Sequence, residues 1–123
     1  MADSRNKSSQ VLFDSVTLVP STPQTSATID VQPWPRIGQI QYLFTNGATG
    51  PTVPAQIQIN FSNDNGSHWF PYGSAIVGPT GNNATAGNVI DIPPGTQYLQ
   101  VVAGSNTAQN VTLRVELSYV TLP

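Results

Sequence analysis

Between Asn110 and Thr121 every second residue is apolar. Val111, Leu113, Val115, Leu117 and Tyr119 alternate with Thr112, Arg114, Glu116 and Ser118. A period of two belongs to a strand with one buried and one wet face; on a helix the same residues would scatter around the axis. The pattern returns in Thr25–Gln32, where Ala27, Ile29 and Val31 alternate with Thr28, Asp30 and Gln32. It returns again in Ile37–Thr45, with Ile40, Tyr42 and Phe44 on one face. Val11–Val19 places Leu12, Val16 and Leu18 together, with Asp14 interrupting at the same parity. Thr96–Ala103 is apolar at both parities, as in a strand covered on both faces. Shorter strands are expected at Gly73–Val77 and Val89–Ile92.

Turn chemistry cuts these runs apart at short intervals. Pro20-Ser-Thr-Pro23, Asn46-Gly47, Pro93-Pro-Gly95 and Gly104–Gln109 each end a strand, and no stretch has a helical period. Eight or nine short strands of this kind predict an antiparallel all-β sandwich, either jelly-roll or immunoglobulin-like. At 123 residues the chain is one domain by size, with a polar arm at 1–9 and the sandwich at 10–123. The arm is expected to lie on a neighbouring subunit. The loop Gly78–Asn88, made of small residues, is expected at a surface tip.

The chemistry-bearing residues gather in one hairpin, Ala55–Tyr72, which holds the only histidine and one of two tryptophans. Asp64-Asn65-Gly66 reads as a type I turn ending with Gly66 in the left-handed region, and the Asp64 side chain caps it. That three-residue loop pairs Phe61 with Trp69 and sets Trp69 on the face of Ile57, Ile59 and Phe61. A four-residue loop would instead pair Phe61 with His68 and bury Phe70 and Tyr72. Ser67 and His68 are strand neighbours pointing to opposite faces, so they do not converge with Asp64 on a hydrolytic triad. No nucleophile elbow or phosphate-binding glycine loop occurs elsewhere.

Composition closes further doors. There is no cysteine, which with a single histidine removes the usual zinc sets. Calcium would need Asn63, Asp64 and Asn65 to converge with Asp91 through the fold. Five Asp and one Glu are scattered without the spacing of a glycosidase pair. Arg5, Lys7, Arg36 and Arg114 are the only bases, too few for a phosphate-binding patch, and no apolar run reaches the ~20 residues of a membrane span. Neither nucleic acid nor membrane is an expected partner, no cofactor or metal is expected, and the chain is expected not to be an enzyme.

Only 8% of residues are charged, against roughly 25% in an ordinary soluble domain. A surface of Ser, Thr, Asn, Gln, Gly and Pro carries few repulsions and suits dense packing against neighbours. Trp34, held between Pro33 and Pro35, is either a core plug or an interface anchor. The candidate partner contacts are Arg5 and Lys7 in the arm, Trp34, and Gly81, Asn82 and Asn83 in the small-residue loop.

Two resemblances follow from these residues. Ser62-Asn-Asp-Asn-Gly-Ser-His-Trp69 resembles the Asp-box of sialidases through Ser62, Asp64, Gly66 and Trp69, with His68 where Ser or Thr is usual. That motif implies a folded hairpin turn and no catalysis. The short cysteine-free chain, its polar uncharged surface and this hairpin together resemble small virion proteins of tailed bacteriophages. The likeness implies a capsid decoration (cement) protein located in the virion, bound to the major capsid protein or other virion subunits and homo-oligomeric, often trimeric. The alternatives are a carbohydrate- or receptor-binding tail module, using Trp34, Trp69 or Tyr72, and a tail or head–tail connector component.

Overall fold

The structure is a computed structural model that describes residues 6–31, 37–93 and 96–121. Ten strands form two antiparallel sheets, with no helix among the described residues. The first sheet has the order β1-β10-β4-β8, from β1 (Asn6–Leu18), β10 (Val111–Thr121), β4 (Ile37–Asn46) and β8 (Thr85–Asp91). In the second, β2 (Gln24–Thr25) and β3 (Ile29–Asp30) line one edge of β9 (Tyr98–Gly104). The other edge of β9 pairs with β5 (Gln56–Ser62), which carries β6 (Phe70–Pro71) and β7 (Ile76–Val77).

Counting β2/β3 and β6/β7 each as one broken strand leaves eight, and the chain changes sheet at every step between them except the hairpin from β5 to β6/β7, which stays in the second sheet. That is the connectivity of a jelly roll, which decides between the two sandwiches the sequence allowed. The core lies between the sheets. Val111, Leu113, Val115 and Leu117 of β10 pack there with Ile40 and Phe44 of β4, Ile57 and Ile59 of β5, and Leu99 and Val101 of β9. The alternation read in β10 and β4 therefore selects the faces that meet. In β9 the Leu99, Val101 and Ala103 parity is buried, whereas Tyr98 and Val102 are half-buried, so only one face of this strand is in the core.

Several expectations change. β1 begins at Asn6, so residues 6–9, read as part of an arm lying on a neighbouring subunit, pair instead with Ser118–Thr121 of the same chain. Register shifts between Val11 and Phe13 and between Phe13 and Val16, with Ser15 at φ 51°, let Phe13 and Leu18 both reach the core despite opposite parity. The same bulge turns Asp14 outward to Arg114, 2.6 Å away, which is why an acid interrupts the apolar run. Thr25–Gln32 is not one strand. The Val101 N–H donates to Ser26 Oγ (2.9 Å) instead of a backbone carbonyl, and the ladder slips one residue between the Thr25–Val102 and Ile29–Leu99 pairs. Gly73–Val77 contracts to Ile76–Val77, and the second half of the presumed 78–88 loop is strand β8, paired along β4.

Candidate functional site

The hairpin between β5 and β6 is locked by side chains. Ser62, almost fully buried, donates its hydroxyl to Asp64 Oδ1 (2.9 Å) and accepts the Gly66 N–H (3.0 Å). Asp64 Oδ1 also accepts the His68 N–H (2.9 Å), and Oδ2 lies 2.5 Å from His68 Nδ1. Asn65 and Gly66 both adopt positive φ, the left-handed geometry expected at Gly66. The tip is tied to the start of β9, since the Asn65 N–H donates to Gln97 Oε1 (2.8 Å) and the Gln97 N–H to Asn63 Oδ1 (3.0 Å). The hydrogen bonds from His68, side chain and backbone, and from Ser62 lower the Asp64 carboxyl to about 2.

This network sets a register that neither short loop anticipated. Phe61 pairs with Phe70, and Asn60 with Pro71. Both Asp64 and Ser62 bond across the turn, so the whole segment from Asn63 to Trp69 is consumed by it. Trp69 is half-buried, with its ring 3.9 Å from where a Cβ on Gly66 would sit, and Phe70 is 62% exposed. Tyr72 packs edge-on against Phe61, ring centroids 5.1 Å apart.

Asp64 capping the turn was legible; its pairing with His68 was not, because alternation assigns faces only where a ladder continues. The i,i+4 spacing of an acid and a histidine around a glycine turn was the available signal. The pair serves the turn. Both carboxylate oxygens are engaged within it, and the nearby Ser62 hydroxyl bonds to Asp64 and not to the imidazole. His68 itself is a surface residue, its side chain 74% exposed. Asn63, Asp64 and Asn65 lie in the second sheet's hairpin, whereas Asp91 ends β8 in the first sheet, where it accepts from Gln39 Nε2 (3.2 Å). Among the described residues no group of three or more His, Asp or Glu could hold a metal ion.

The remaining candidate contacts fall into two groups. Arg5 and Trp34 lie outside the described residues, and the backbone of Lys7 pairs with Val120 in β1. Gly81, Asn82 and Asn83 come together at the loop entering β8, on the protein's exterior. Each is also a tie to the loop after β4. Asn46, buried at the end of β4, donates Nδ2 to the carbonyls of Pro79 (3.0 Å) and Gly81 (2.9 Å). Asn82 Oδ1 accepts the Gly50 N–H (2.9 Å), and the Asn83 N–H donates to the Gly47 carbonyl (2.8 Å). At Gly50 a Cβ would stand 1.9 Å from the Thr80 carbonyl oxygen, so the two loops touch backbone to backbone. The small-residue loop expected at a surface tip is at the surface and is braced there.

The outer faces of the sheets hold shallow clefts. One of about 170 Å³ is lined by Gln41, Tyr42, Leu43, Arg114 and Glu116, and Arg114 donates to both Glu116 (2.9 Å) and Asp14 (2.6 Å). Another of about 110 Å³ lies beside Gln56, Gln58 and Val102. Both are smaller than the ~300 Å³ at which small-molecule pockets begin. Exposed apolar side chains are spread over the exterior, with Val11, Leu43 and Val89 on strands of the first sheet and Phe70, Tyr72 and Val77 along the margin of the second.

No protein-family model matches the chain, and comparison with curated proteins gives no match. Solved structures share the fold at low identity. A structure of infectious bursal disease virus, Gx strain, superposes with a TM-score of 0.56 at 11% identity, over 98% of this chain and 33% of the viral one. The SPBc2 prophage-derived protein YomS gives 0.54 at 13% identity, over 96% of this chain and 97% of its own. Tripeptidyl peptidase 2 gives 0.57 at 12% identity, over 93% of this chain but only 10% of the peptidase. The chain thus spans about a third of the viral structure and a tenth of the peptidase, and nearly all of the prophage protein. At these identities the likeness is one of fold.

Proposed function

We propose that this chain is a non-enzymatic structural protein of a phage virion, which binds the capsid shell as a decoration protein and acts as a homo-oligomer. The observation that carries the reading is a charge-poor jelly roll occupying the chain, with apolar side chains exposed on both sheets. Few surface charges mean little repulsion on close approach, and contacts too weak alone become firm when symmetry repeats them. The braced 46–50 and 78–84 loops offer a rigid projection that binds without a large ordering cost. Full-length likeness in fold to a prophage-derived protein, and likeness to a viral structure, agree with this role. Cosedimentation with purified capsids tests it: saturable binding at a fixed stoichiometry is expected, and absence of binding at micromolar protein would refute it.

A second reading has its own observation. Phe70 and Tyr72 are exposed beside half-buried Trp69, an aromatic margin able to stack on sugar rings in a carbohydrate-binding tail module. A saccharide-induced shift in tryptophan fluorescence that Tyr72→Ala abolishes would favour it over shell binding.

A further inference from the structure

A β-sandwich with open sheets must protect its edge strands, because each presents unpaired N–H and C=O groups to any passing strand. Three of the four edges here carry recognisable protection. β1 has two register shifts and a positive-φ Ser15. The β2/β3 edge is two dipeptides separated by the Ser26 interruption and preceded by Pro20 and Pro23. The β6/β7 edge is again two dipeptides, one containing Pro71. β8 has none of these. Its seven residues, Thr85–Asp91, run in unbroken register along β4, contain no proline, and carry no charge before Asp91.

The hydrogen-bond parity of this edge follows from its two ends. The Asn46 N–H donates to the Ala84 carbonyl (2.9 Å) and the Ile92 N–H to the Gly38 carbonyl (2.9 Å), with constant register between them. Ala86, Asn88 and Ile90 therefore turn their backbone groups to β4, while Thr85, Gly87, Val89 and Asp91 turn theirs to the open side. Among the described residues no strand pairs with that side. Among the described residues its backbone tie is local, from the Val89 N–H to Asn88 Oδ1 (2.8 Å).

We infer that β8 is a self-association edge, pairing antiparallel with β8 of a second copy across a two-fold axis. With the axis at Gly87, Gly87 faces the partner's Gly87, and Thr85 and Val89 face the partner's Val89 and Thr85. Every outward group on those rungs then finds a complement, and the two first sheets join into one. Asp91 falls opposite the partner's Asn83, so the arrangement brings no like charges together. Thr85 and Val89 are a β-branched pair suited to such a rung. A strand that pairs with itself closes as a dimer. A closed trimer would instead need β8 to pair with a different edge, and the others are protected. The pairing does not depend on shell binding: a monomer that still bound capsids would overturn the pairing alone.

Sedimentation equilibrium over a wide concentration range tests the inference. A reversible monomer–dimer equilibrium is expected. Val89→Pro and Thr85→Pro each remove an N–H that points away from β4, so they spare the native ladder and should weaken dimerisation at least tenfold. Val19→Ser, at an exposed apolar residue away from β8, should leave it unchanged. In the unmodified chain, amide exchange at Thr85 and Gly87 should slow as concentration rises. A monomer at millimolar concentration, a trimer, proline variants that fold and dimerise as well as the unmodified chain, or concentration-independent exchange at Thr85 and Gly87 would each overturn the assignment.

Discussion

Asn46 is the residue on which the braced loop hangs, and its replacement gives a sharp test. The side chain is buried, and Nδ2 makes two hydrogen bonds, to the carbonyls of Pro79 and Gly81. Each such bond is worth about 0.5–1.5 kcal/mol net, so their loss in Asn46→Ala costs about 1–3 kcal/mol. Against this, Asn46 Oδ1 is buried with no partner, and deleting it returns part of its desolvation cost. The balance for Asn46→Ala is a loss of about 1–2 kcal/mol, or roughly 3–10 °C in Tm at this chain length. Asn46→Asp keeps the shape but replaces the donor by an acceptor, turning a carboxylate oxygen toward two carbonyl oxygens. That should cost more, about 3–5 kcal/mol, as for other buried charges left without a partner. Protonation restores one donor, so the Asn46→Asp deficit should shrink as pH is lowered toward 4. Urea unfolding at pH 7 and pH 4 gives the energies, and amide exchange at Asn83, whose N–H reaches the Gly47 carbonyl, reports whether the loop loosens with them. Asn46→Ala within 0.5 kcal/mol of the unmodified chain, or Asn46→Asp no less stable than Asn46→Ala, would refute the clamp.

Two further outcomes follow from the same geometry. The Asp64 carboxyl lies at about 2 in the folded chain against 3.8 unperturbed, so its contribution is present above pH 4 and is lost as pH falls through about 2. Asp64→Asn should flatten that acid limb in pH-dependent unfolding, and an NMR titration midpoint near 4 for Asp64 would contradict the network. Gly50→Ala forces a Cβ onto the Thr80 carbonyl oxygen and should destabilise by about 1–3 kcal/mol in urea unfolding, whereas Gly47→Ala, with open space around it, should not show this steric cost.

What the residues alone determine here is local and periodic. The alternation names Val111, Leu113, Val115 and Leu117 of β10, Ile40 and Phe44 of β4, and Ile57, Ile59 and Phe61 of β5 as buried, with Tyr42 half-buried and the Tyr119 side chain outside the described ones, because a pleated strand sends neighbours to opposite faces whatever it pairs with. Asp64 and Gly66 mark the hairpin for the same reason, since a left-handed turn restricts residue choice locally. The tertiary structure decided everything that depends on partners. Phe13 and Leu18 share the core only because β10 holds β1 in two bulges, which no parity count foresees. Ser26 breaks a clean alternation because β9 offers Val101 N–H to its hydroxyl. Thr85–Asn88 reads as the end of a loop, with Gly87 and few apolar residues, yet β4 supplies the ladder that joins it to the strand expected from Val89, and Gly87 is needed where a Cβ would lie 2.5 Å from the Tyr42 carbonyl. The eight-strand connectivity that makes this sandwich a jelly roll is of the same kind. Pairing between distant segments is an energy shared by two stretches of chain, and neither stretch carries it alone.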